Sequence, residues 1–268
     1  MDYFFVITQE EQIIREIILL VKKQLFGIEI NQISKEGLLK GLIENAKARK
    51  SSYLCAVNVH MTVESQSNLA LKNAILNAKW AVTDGVPVKW AFNMLNNAKQ
   101  ERLAGMDLTP ELLKLAALKG LVVSVYGNTE NNLKSFKDYV SEHIPGLKIG
   151  TLISPPFRIL TEEETKGHLQ TINDCQTNIL LVSLGCPKQE IWMSKYAEQC
   201  NSVCLGIGNA INTLIGTEKR PPKFVQNIGM EWFYRLCQNP KRLFKRYFVT
   251  NTKFCSMLLA SLLKSRKK

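Results

Sequence analysis

Six apolar runs with strand character alternate with segments of helical spacing, and this alternation constrains the fold more than any other feature of the chain. The strand-like runs are Tyr53–Val59, Trp80–Thr83, Leu121–Tyr126, Leu147–Leu152, Asn178–Leu184 and Ser202–Ile207. The helical segments are Glu64–Ala78, Val86–Asn97, Pro110–Lys119, Thr129–His143, Thr161–Asn173 and Pro187–Gln199. Start signals accompany several of them. Thr109-Pro110 reads as an N-cap followed by a first-turn proline, and Thr161 precedes three first-turn acids, Glu162–Glu164. Strand and helix in alternation predict an α/β fold: a Rossmann-like open, largely parallel sheet with helices on both faces. Such sheets bind ligands beyond the carboxyl ends of their strands, so the loops that follow the strands carry the candidate chemistry.

Charge divides the chain unevenly. The formal net charge is +12, yet residues 1–218 hold 22 basic and 22 acidic side chains. Residues 219–268 hold 13 basic groups and one acid, Glu231. A neutral body with a basic end implies an anionic partner such as phospholipid, polyphosphate or nucleic acid. Three regions are expected: a helical preface over 1–30, an α/β domain over 31–216 and a basic helical C-terminal appendage over 217–268. The preface would align Ile13, Ile14, Ile17, Ile18 and Val21 on one face, and the appendage would begin near Pro221-Pro222.

Composition excludes several classes. With 268 residues, 46% of them hydrophobic, the chain is too apolar for a disordered protein and long enough for a substantial core. No apolar run approaches the roughly 18 residues of a membrane-spanning helix. The N-terminus lacks the basic-then-apolar order of a signal peptide. Seven cysteines, an odd number spread over a long chain, fit a reducing cytoplasm.

Four loops after strands stand out. Asn58 and His60 stand at the end of the first, and Asp84-Gly85 follows the second, where Asp-Gly is also ordinary turn chemistry. A carboxylate there can accept a proton at the ligand edge. The third loop, Gly185-Cys186-Pro187-Lys188-Gln189-Glu190, places polar groups in a first helical turn, where backbone N–H groups favour anions. The fourth, Gly206-Ile207-Gly208-Asn209, is a Gly-x-Gly without the third glycine of the dinucleotide fingerprint. There is no Walker A loop, no Gly-x-Ser-x-Gly elbow, no His-Glu-x-x-His and no Asp-x-Asp, and Cys200-x-x-x-Cys204 lacks a matching pair of ligands. No metal site is expected.

These loops, in this order, resemble the WecG/TagA/CpsF glycosyltransferase family (glycosyltransferase family 26). The resemblance rests on Asn58 and on TDGVPVKWA at 83–91, ERLAGMDL at 101–108 and VYGNTENNL at 125–133. It continues through SLGCPKQEIWM at 183–193, the stretch from Gly206 to Leu236 and NPKRLFKRY at 239–247, covering about residues 27–250. The family implies transfer of a sugar, most often N-acetylmannosamine, from a UDP-sugar to an undecaprenyl-diphosphate-linked acceptor in cell-surface polysaccharide or teichoic acid synthesis. The expected enzyme is inverting and, with no metal motif, metal-independent and without a cofactor. It is cytoplasmic, and the basic end with its interleaved apolar groups is expected to hold it peripherally on the inner leaflet of a bacterial plasma membrane.

Carried onto this chain, the family's base falls on Asp84, with Asn58 and Gln189 beside it. The expected substrate-binding set is Gly85, Arg102, Asp107, Gly127, Asn128, Gly185, Lys188, Glu190, Gly206, Gly208 and Asn209. Arg235, Arg242 and Arg246 of the basic end are expected to reach the departing diphosphate and to meet an anionic membrane surface. Arg102 and Asp107 read equally well as a structural ion pair. Ala56 departs from the threonine frequent in the family, which bears on substrate preference and not on the reaction class. The expected partners include no nucleic acid, and an apolar preface is compatible with a homo-oligomer. Two rival readings are a nucleic-acid-binding protein using the basic end and a nucleotide-binding regulator without catalysis.

Overall fold

The computed structural model describes residues 21–238 and 240–265, the side chains of Arg242, Arg246 and Ser265 excepted. The expected preface helix over residues 1–20 lies outside the described residues. It does not extend to residue 30, because Lys22–Leu25 (β1) and Ile28–Asn31 (β2) pair as an antiparallel hairpin. Alternation explains the correction: Leu25, Ile28 and Ile30 are buried on one face, and Phe26-Gly27 makes the turn.

The main sheet holds Ser52–Val57 (β3), Trp80–Thr83 (β4), Val122–Gly127 (β5), Lys148–Ile153 (β6), Ile179–Ser183 (β7) and Val203–Gly206 (β8). Their order is β4-β3-β8-β7-β5-β6 and every neighbouring pair is parallel. All six carboxyl ends therefore share one edge. Side chains alternate between two apolar layers, as a sheet covered on both faces requires. Leu54, Ile179, Leu181, Val203 and Leu205 join one layer. Tyr53, Cys55, Leu180, Val182 and Cys204 join the other.

The helices of the body are Lys35–Lys47 (α1), Val59–Glu64 (α2), Leu69–Asn77 (α3), Val86–Asn96 (α4), Gly105–Leu118 (α5), Glu130–His143 (α6), Glu162–Asp174 (α7), Lys188–Tyr196 (α8) and Ala210–Leu214 (α9). Two helical expectations are corrected. The expected single helix over 64–78 is broken: Glu64 ends α2, and α3 starts only at Leu69, because Asn58 and Asn68 each cap a helix by accepting from the N–H three residues on. Thr109 is no N-cap: α5 begins four residues earlier, and Pro110 lies inside it. The Thr109 hydroxyl instead donates to the Gly105 carbonyl at 2.7 Å. Thr161 does cap α7, in a capping box with Glu164.

At the C-terminal end, Lys223–Asn227 (α10), Glu231–Gln238 (α11) and Pro240–Ser265 (α12) pack back onto the body. Helix α12 lies on α2 and α4 and sends Phe254 into the second apolar layer, edge-to-face with Phe26 at 5.5 Å. None of the described helices is long and apolar enough to cross a membrane.

Gly127 shows how tightly the ligand edge is built. It has φ of +110°, and a Cβ there would stand 2.5 Å from the Ser183 carbonyl oxygen. Gly127→Ala is expected to lose about 3 kcal/mol, from backbone strain and displacement of β7 together. Denaturant unfolding at equilibrium measures it, and a loss below about 1 kcal/mol would show that the strand ends relax freely.

Candidate active site

A cavity of about 510 Å³ opens at the carboxyl ends of β3, β4, β7 and β8. Asn58, Asp84, Gly85, Arg102, Gly185, Gln189, Gly206, Gly208 and Asn209 line it, and α11 and α12 close the far side with Glu231, Trp232, Arg235, Tyr247, Asn251 and Phe254. Ala56, buried, lies on its floor.

Asp84 owes its place to the turn that follows β4. Its N–H donates to the Val57 carbonyl at 2.9 Å, and Gly85 takes φ of +89°, a backbone that side-chain-bearing residues rarely adopt. Asp84 does not cap α4: Gly85 is the cap residue and no side chain caps that end. Burial pushes the Asp84 carboxyl up to about 7, reinforced by Glu231 and Asp107 and opposed by Arg102 and Arg235. A carboxyl poised there holds and releases a proton near neutral pH.

Arg102 anchors an ion network around this carboxyl. It bonds Asp107 at 2.5 Å, Glu231 at 3.1 Å and the Gln226 side chain at 3.2 Å. Arg220 bonds the other oxygen of Asp107, and Arg235 bonds Glu231 at 3.2 Å. Arg102 and Asp107 are thus an ion pair, with Arg102 also facing the cavity. The sequence singled out Arg235 from the basic end and passed over Glu231 and Gln226. The one signal for Glu231 was that it is the only acid among residues 219–268.

Gln189 lines the cavity, and its side chain is also bonded within the loops around it. Its Oε1 accepts from the N–H groups of Gly185 and Gly208, both at 3.2 Å, and its Nε2 donates to Glu190 Oε1 at 2.7 Å. Gln189 therefore ties the loop after β7 to the loop after β8. These two amide N–H groups, expected to face an anion, are already engaged. Glu190 is wholly buried beneath it, and burial raises its carboxyl above the usual range. Gln189→Leu is expected to cost about 3 kcal/mol, because two half-buried N–H groups and the buried Glu190 carboxyl lose their partner at once. A thermal melt reads the loss; a variant as stable as the parent would show that the loops stand without the tie.

Of the remaining expected residues, Gly127, Asn128 and Lys188 lie around the cavity and not on its wall. Gly127 and Asn128 buttress it: the Asn128 N–H donates to the Ser183 carbonyl at 3.1 Å, and Ser183 Oγ donates to the Gly208 carbonyl at 2.7 Å. Lys188 is exposed. Asn209 on the rim donates to the Glu218 carboxylate at 2.9 Å. The side chains of Arg242 and Arg246 lie outside the described residues. Among the described residues no group of three His, Cys, Asp or Glu side chains is placed to hold a metal ion.

The sequence matches the family described as Glycosyl transferase WecG/TagA/CpsF over residues 23–268. Among its relatives, the N-acetylglucosaminyldiphosphoundecaprenol N-acetyl-beta-D-mannosaminyltransferase of Bacillus spizizenii is 27% identical over 194 residues, 72% of this chain and 74% of that protein. With the family spanning nearly the whole chain and its motif residues gathered on one cavity, this protein belongs to the WecG/TagA/CpsF glycosyltransferases and is a transferase enzyme.

Proposed function

We propose that the protein transfers N-acetylmannosamine from a UDP-sugar to an undecaprenyl-diphosphate-linked N-acetylglucosamine, with inversion and without a metal ion. The sugar and acceptor follow the name of the Bacillus relative. The observation that carries the reading is Asp84, a carboxyl raised to about 7 on a cavity wall shared with Arg102 and Arg235. In one displacement the acceptor hydroxyl oxygen bonds to the anomeric carbon while that carbon's bond to the UDP oxygen breaks. The hydroxyl proton passes to Asp84, and the electron pair leaves with UDP. A single displacement inverts the anomeric centre. The two arginines are the cations on hand for the charge that develops on the diphosphate.

The exposed face of α12 fits a membrane interface. Phe244, Phe248, Leu259 and Leu263 recur at helical spacing and stand exposed beside exposed Lys241, Lys245, Lys253 and Lys264. Each such cation adds roughly 1 kcal/mol of attraction to an anionic leaflet. A lipid-linked acceptor is presented at that surface, so a cytoplasmic enzyme held on the inner leaflet would meet it there.

A donor screen tests the reading. The protein is incubated with a prenyl-diphosphate-linked N-acetylglucosamine and a panel of UDP-sugars, and the lipid product is weighed by mass spectrometry. Addition of one N-acetylhexosamine from UDP-N-acetylmannosamine is expected. Transfer of a different sugar would refute the donor, and transfer of none would refute the reading.

A further inference from the structure

The two arginines facing the cavity are not held alike. Arg102 has three anchors: Asp107, Gln226 and Glu231. Arg235 has one carboxylate among the described residues, Glu231 at 3.2 Å, and otherwise rests on the sulfur of Met106. Glu231 thus bridges both guanidinium groups from within the cavity wall, one carboxylate oxygen on each. It stands 21% exposed, and it is the sole acid of the 50-residue basic end. A carboxylate presenting two oxygens to two guanidinium groups is chemically close to what a phosphate presents to them.

We infer that Glu231 is a resident stand-in for the donor's diphosphate, holding Arg102 and Arg235 in place until the anion displaces it from Arg235. The anchors explain which arginine moves. Arg102 keeps two partners when Glu231 withdraws, so it stays fixed, whereas Arg235 exchanges its one carboxylate for the incoming phosphate oxygens. An unpaired Arg235 would otherwise stand beside Asp84 and hold that carboxyl ionised. Among the described residues four charged groups face Asp84: Glu231 and Asp107 raise its proton affinity, and Arg102 and Arg235 lower it. Glu231 is therefore a positioning residue with two effects. It competes with the diphosphate for Arg235, and it keeps Asp84 basic enough to take a proton. The inference rests on the transferase reading only for the identity of the anion.

Inorganic pyrophosphate is the probe, with binding measured by calorimetry on the full-length protein above pH 7. Glu231→Gln keeps the shape of the side chain and removes its charge. It is expected to bind pyrophosphate about tenfold tighter than the parent. In an Arg235→Gln background the same change is expected to give no tightening. Where transfer is measured, the acid limb of kcat/KM is expected to move to lower pH in Glu231→Gln. Unchanged or weaker affinity, no measurable binding by either protein, or tightening that persists without Arg235 would each overturn the inference. A Glu231→Gln protein that melts early and binds no better would show a tail-docking ion pair and nothing more. If pyrophosphate follows the expected pattern while no UDP-sugar is transferred, the stand-in holds and the transferase reading fails.

Discussion

Asp84→Asn is expected to lower kcat by about a thousandfold while the protein stays folded, because a positioned general base contributes roughly 10²–10⁴. The amide fills the same space and cannot accept the proton. The working carboxylate must be ionised, so the parent's kcat/KM should rise with pH and level off above about 7, where burial has pushed Asp84. Stability runs the opposite way. A folded-state pKa raised above the unfolded value of 3.8 gives stability that is present at low pH and is lost as pH rises through about 7. Asp84→Asn should therefore be more stable than the parent above pH 7, even as it loses activity. Initial rates across pH, paired with thermal melts at two pH values, measure both. An active Asp84→Asn enzyme with an unshifted profile would remove Asp84 as the base.

Ending the chain at residue 238 is expected to lower transfer by more than about 100-fold and to abolish binding to anionic vesicles. The cut removes α12, which supplies Tyr247, Asn251 and Phe254 to the cavity wall, and a misplaced site alone can cost that much. It also uncovers the apolar layer that Phe254 helps to seal, a side chain buried to 4% exposure. Phe254→Ala separates packing from attachment. It should cost about 3–5 kcal/mol in stability through the cavity it leaves, while vesicle binding persists. Co-sedimentation with vesicles and a transfer assay on both proteins read the outcome. A truncated protein that binds and turns over normally would leave α12 without either role.

Much of the fold was legible because strands buried on both faces leave unbroken apolar runs, and their period differs from that of the helices between them. Trp80–Thr83 emerged with its boundaries intact. The misreadings were local. Thr109-Pro110 looked like a helix start, but five residues ahead of Thr109 the N-cap Ala104 carries the true one, without the side-chain cap that sequence reading depends on. The hairpin over 22–31 was absorbed into an apolar preface, since a two-strand ribbon with one buried face leaves only a short alternation.

The site divides along the same line. The sequence by itself determined which loops meet, because a parallel sheet delivers every strand's carboxyl end to one edge, and so Asn58, Asp84, Gly185, Gly206 and Gly208 surround one cavity. Only the tertiary structure decided what those residues do. Arg102 meets Glu231 across 129 residues, and Asn128 meets Asn212 across 84. Gln189 spends its amide on two glycine loops, and Asp84 takes its proton affinity from burial and four charges gathered from distant segments. Periodicity is set by neighbours along the chain, whereas desolvation and Coulomb energy depend on distance in space, which no local pattern encodes.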